Sequence, residues 1–201
     1  SKQQYVGILS NFSFPFFDER ITVNIKRSLT DNERVDSFDH WRRRLSGLVE
    51  RVPESLAFLE IVEKVAAQNP DIEFVIRPHP VEGLQAWREV VGTRRPNLRV
   101  EKVGATHDFL LNAKAVIHWG CTTAFEAYLS EVPCISVCPI NDAKGCRSSD
   151  ALVNQLGVVC QSSQEVSAVL ARLDDDASMS HAQFVDVYMR DEVKAELNQR
   201  M

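Results

Sequence analysis

Hydrophobic positions along the chain fall into short β-branched runs separated by longer stretches of helical spacing. The runs are Tyr5 to Ser10, Ile72 to Arg77, Leu98 to Val103, Ala115 to His118, Cys134 to Cys138 and Val158 to Cys160. Each has the length and residue types of a buried strand. Between the first two, Leu56, Leu59, Ile61, Val62, Val65 and Ala66 recur at the spacing of one helix face.

Alternating strands and helices need crossover connections, which make the strands parallel and cover both faces of the sheet. The pattern predicts an α/β fold: a doubly wound, mostly parallel, six-stranded Rossmann-like sheet with helices on both faces. A single domain is expected over residues 1–201. Helices are expected from Asp36 to Gln68, with Pro53 opening a new one, because proline suits a first helical turn. The charged, weakly periodic segment from Phe14 to about Asp39 reads as a lid, since connections this long are usually functional. From about Asp174, the acidic Asp174-Asp175-Asp176 leads into a helical tail whose apolar stripe (Phe184, Val185, Val187, Tyr188, Val193) is expected to pack against a neighbour.

In such sheets the ligand crevice lies beyond the carboxyl ends of the strands. That rule selects three loops: Asn11-Phe12-Ser13, Arg77-Pro78-His79-Pro80, and His118-Trp119-Gly120-Cys121-Thr122-Thr123. The third joins a strand to a helix. A helix start exposes unpaired N–H groups and partial positive charge, Gly120 permits close backbone approach, and the hydroxyls of Thr122 and Thr123 add donors. The junction suits a phosphate. It also fits a capping box between Thr123 and Glu126, which needs no ligand. Phe125, Tyr128, Leu129 and Val132 then form the stripe facing the core. His79, between two prolines, is held in an extended backbone, and histidine titrates near neutrality, so it can donate to a phosphate or protonate a leaving one.

His118 is readable either as a ligand or as a buried strand end, and Trp119 as a core or rim aromatic. His107 falls at a helix start with Thr106 as N-cap, and His40 and His181 look like surface residues.

The charge balance narrows the partners. A formal net charge of -5 excludes a broad nucleic-acid-binding face, and the clusters Arg42-Arg43-Arg44 and Arg94-Arg95 read as solvated surface. Apolar runs such as Ala113 to Trp119 fall short of the roughly 20 residues of a membrane-spanning helix. Ser1-Lys2-Gln3-Gln4-Tyr5 lacks the apolar run of a secretory leader. Cys121, Cys134, Cys138, Cys146 and Cys160 lack the paired spacing of a zinc site and read as reduced thiols, so no metal is expected. These features point to the cytoplasm, with peripheral attachment at the inner membrane left open.

Arg77-Pro78-His79-Pro80, followed about forty positions later by His118-Trp119-Gly120-Cys121-Thr122-Thr123-Ala124-Phe125-Glu126-Ala127, resembles a pairing found in GT-B glycosyltransferases. More narrowly, Tyr5 to Cys160 resembles the C-terminal, nucleotide-sugar-binding half of bacterial surface-carbohydrate biosynthesis proteins, related to sialyl- and Kdo-transferases. The resemblance implies that His79 contacts the donor's phosphate and acts catalytically on it. It implies that Thr122 and Thr123 hold the same phosphate, that Glu126 reaches the ribose, and that Asn11 and Ser13 border the donor. Arg77, His118 and Gly120 complete the implied binding set. The nucleotide-sugar is a co-substrate, and no separate cofactor is implied. A carbohydrate acceptor and an N-terminal GT-B half, which usually carries the catalytic base, are the implied partners; within this chain Asp108 and Glu126 are unsupported guesses for a base. The alternatives are a nucleotide-sugar 2-epimerase and a non-catalytic nucleotide- or anion-binding module.

Overall fold

The computed structural model describes residues 5–12, 38–80, 82–92, 95–102, 104–138, 152–175 and 179–200. The expected lid as far as residue 37, together with Ser13 and Cys146, lies outside them. The six predicted runs form β1 (Tyr5–Leu9), β2 (Phe74–Arg77), β3 (Leu98–Val100), β4 (Ala113–His118), β5 (Cys134–Val137) and β6 (Val158–Cys160). They make one sheet in the order β3-β2-β1-β4-β5-β6, and every pairing is parallel. The chain starts at the centre, winds outward to β3, then crosses back beside β1 and winds the other way. This α/β Rossmann-like order places the switch point between β1 and β4, with all strand carboxyl ends on one rim.

The helices are α1 (Phe38–Gln68), α2 (Leu84–Val91), α3 (Thr106–Leu111), α4 (Thr123–Leu129), α5 (Ser163–Asp175), α6 (His181–Tyr188) and α7 (Asp191–Arg200), with a 3-10 turn at Leu152–Gln155. Strand side chains alternate between faces, so each face has its own core. Val6, Ile8, Phe74, Ile76, Ile117 and Ile135 pack under α1, α2 and α5, where Phe58 and Trp87 are fully buried. Tyr5, Leu9, Val75, Val116 and Cys134 pack on the other face under α3, α4 and α7. Each such large side chain removed from water stabilises the fold by roughly 1.5–3 kcal/mol. Among the described residues, no helix is long and apolar enough to cross a membrane.

Three local expectations are corrected. Pro53 does not open a helix but lies inside the 31-residue α1. It forgoes one backbone hydrogen bond, and burial of the helix's apolar stripe on the sheet (Phe58, Val62, Val65) outweighs that loss. On α4 the buried residues are Ala124 and Ala127, whereas Leu129 is 69% exposed. Phe125 and Tyr128 are half-buried and pack against the same core as Val132, so of the expected stripe only Leu129 turns away. Glu131 turns the chain with φ 59°, so the buried Val132 lies beyond the helix and shares no face with Leu129. Thr106 is the first residue of α3 rather than its cap, which is Ala105.

The tail engages both faces of the chain's own sheet. Phe184 of α6 enters the core beneath α5, while Met189 and the α7 residues Val193 and Leu197 enter the opposite one. Arg190 binds Gln155 between them, near the start of β6.

Candidate functional site

The carboxyl ends of β1, β2 and β4 bring the three predicted loops to one rim. A cleft of ≈ 220 Å³ opens there, and Arg77, His79, Thr122, Thr123 and Glu126 line it. Two turns some forty residues apart thus face one cavity, because parallel strands send every β-to-α loop to the same side.

Each loop is held by identifiable contacts. Asn11 donates from Nδ2 to the Gly120 carbonyl at 2.8 Å, tying the β1 loop to the β4 loop across the switch point. Gly120 itself sits at φ 61°, a left-handed conformation that favours glycine, with open space where a side chain would project. Its N–H donates to Asn154 Oδ1 at 2.7 Å. Asn154, from the 3-10 turn, is buried and also accepts from the Ser136 hydroxyl at 3.3 Å. Arg77 donates from Nη2 to the Gly104 carbonyl at 2.9 Å, and its guanidinium lies 5.4 Å from the Phe109 ring centroid. Both contacts orient its charge at the cleft wall.

The start of α4 departs from the capping box. Thr122 is the N-cap and no side chain caps the helix. Burial pushes the thiol of the neighbouring Cys121 up. Glu126 is exposed on the rim, and so is Thr122.

His118 is fully buried and does not line the cleft. It stands in register between Leu9 and Ser136, and neither ring nitrogen has a hydrogen-bond partner among the described residues. Burial alone lowers it to about 4, so the ring is neutral at physiological pH. Asn11 and Gly120 likewise serve the backbone of the junction rather than the cleft lining.

Sequence reasoning missed Ser10, Lys102, Thr106 and Cys121, which also line the cleft. It also missed the buried carboxylate of Glu82 beneath the His79 turn. Lys102 had one available signal, its place two residues beyond β3, a strand whose carboxyl end reaches the same rim. Among the described residues no group of three or more His, Cys, Asp or Glu side chains could hold a metal ion. Cys121, Cys134, Cys138 and Cys160 are free and buried, and burial pushes the Cys134 and Cys160 thiols up to about 12.

The fold and the position of the cleft define a Rossmann-like α/β protein with its crevice at the topological switch point. No protein-family model matches the chain. Over 80 residues, 39% of the chain, it is 35% identical to Protein FixF of Sinorhizobium fredii, of which the match spans 19%. In shape, 90% of the chain is similar to the crystal structure of Methanocaldococcus jannaschii UDP-GlcNAc 2-epimerase in complex with UDP-GlcNAc and UDP. That likeness has a TM-score of 0.41 at 14% identity and covers 41% of that chain. The chain therefore spans less than half the length of either protein.

Proposed function

We propose that this chain is the donor-binding part of a glycosyltransferase, taking a sugar from a CMP-, CDP- or UDP-activated donor for a carbohydrate acceptor in surface polysaccharide synthesis. The observation that carries the reading is the single cleft onto which the His79 turn and the Thr122-Thr123 helix start both open. In this reading the leaving phosphate sits between them. His79 donates a hydrogen bond to it and then a proton, and the two threonine hydroxyls bind its oxygens. The charges of Arg77 and Lys102 favour the developing anion. Glu126, exposed on the rim, takes the ribose hydroxyls. Stabilising charge on a leaving phosphate in this way needs no metal ion. The acceptor and the general base come from an N-terminal half, and Asn11 braces the donor loop through Gly120.

Calorimetric titration with CMP, CDP, UDP and their sugars tests the reading. At least one nucleotide binds. His79→Ala weakens it on the order of ten- to hundredfold, the loss of one charge-assisted hydrogen bond, and a Thr122→Ala/Thr123→Ala double variant does about the same. Unchanged affinity in both variants sinks the assignment. A sugar-transfer assay on the full-length protein then separates an enzyme from a binding module.

A further inference from the structure

Glu82 is a buried carboxylate, 2% exposed, that the proposed chemistry does not use. Donors from three parts of the chain converge on it. Its Oε1 accepts from the Phe12 N–H at 2.7 Å. Its Oε2 accepts from Trp87 Nε1 at 2.8 Å, from the His79 N–H at 3.2 Å and from the Ser10 hydroxyl. A carboxylate offers about four acceptor sites, so these donors match its capacity.

The backbone of His79 is thereby held on both sides. Its N–H is shared between Glu82 and Ser10 Oγ, the latter at 3.0 Å. Its carbonyl accepts from the Glu82 N–H at 2.9 Å and from Lys102 Nζ at 3.2 Å. The Lys102 ammonium spends its other two donors on the Pro80 and Glu82 carbonyls, each at 2.9 Å. A charge in this position is costly to bury unless its lone pairs are used, and an apolar side chain would fill the space at less cost. What an apolar residue could not do is join the β1 loop, the His79 turn and α2 in one register.

We propose that Glu82 is a positioning residue: by binding the Ser10–Phe12 loop and the His79 turn to one carboxylate, it sets where the His79 imidazole stands relative to Thr122 and Thr123. This rests on the reading of the cleft as a donor-phosphate site and adds the side chain through which that site keeps its shape. Glu82→Gln preserves the outline but turns one acceptor oxygen into an NH₂ facing donors. Ser10→Ala removes only the hydroxyl link, and it carries the test should the glutamine variant not fold.

The test is a double-mutant cycle on the full chain. It is read by calorimetric titration of UDP and CMP and by the Cε1–H NMR resonance of His79, assigned from its disappearance in His79→Ala. Each variant is expected to weaken binding about tenfold in the native background and less than about twofold when residue 79 is already alanine. Each also shifts the His79 resonance while leaving those of His107 and His181 in place. Equal losses in the two backgrounds, or an unmoved His79 resonance, overturn the positioning role. If no nucleotide binds the native chain, or His79→Ala binds as well as the native chain, the donor-site reading fails instead, and the resonance alone decides on Glu82.

Discussion

At the scale of single residues, the buried polar groups carry the sharpest consequences. His118 is held below its ordinary titration range, at about 4, because burial penalises the charged ring. Its folded pKa lies below its unfolded value, so the contribution is present above about pH 6.5 and is lost as pH falls toward 4. By pH 5 the loss from this residue is about 2 kcal/mol. Denaturant titrations at pH 7 and pH 5 should show that difference in the native chain and a smaller one in His118→Leu. The glycines give a second contrast. At Gly157, φ is 106° and an added Cβ would meet the Cys134 carbonyl oxygen at 2.2 Å, whereas at Gly120 nothing lies within 4 Å. Gly157→Ala therefore costs about 3 kcal/mol or more by chemical denaturation, and Gly120→Ala, strained only in its backbone, about 1–2 kcal/mol.

Secondary-structure elements show where local pattern is a sound guide and where it is not. All six strands were legible, since β-branched residues with flanking turns need no long-range information. Helix details were less so. Pro53 reads locally as the first turn of a new helix, a signal that a 31-residue helix packed on the sheet overrides. On α4 the expected stripe holds for Phe125 and Tyr128 but not for Leu129, and it overlooked Ala124 and Ala127, whose small side chains let a short helix sit close to the sheet. The tail is held to the body by Phe184, fully buried beneath α5 and beside the backbone of Gly157. Phe184→Ala leaves a cavity there and should lower stability by about 3–5 kcal/mol, measured as a reduced denaturation midpoint with unchanged slope.

For the whole molecule, strand order decides the chemistry available. With β1 and β4 as neighbours at the switch point, loops leaving β1, β2 and β4 share a rim, and the predicted residues Arg77, His79, Thr122, Thr123 and Glu126 meet in one cleft. Their convergence was legible because motif position at strand ends implies it in any parallel sheet. The supporting set was not. Glu82, next to a glycine and followed by a helix, has the look of a solvated acid until the β1 loop and Trp87 close over it. Lys102 reads as an ordinary surface lysine until three carbonyls of one turn point at it.

What the amino-acid order determined alone is the alternation of strand and helix, the two apolar faces of each strand, and the positions of the polar loops. Those follow from side-chain period and residue type within a few neighbours. Only the tertiary structure decided which polar side chains are buried and what they hold. Asn11 reaches Gly120 across 109 positions and Ser10 reaches Glu82 across 72, and no local pattern encodes a contact at that separation. A buried hydrogen bond is specified by the surroundings that exclude water from it, and those surroundings exist only once the sheet has closed its two faces.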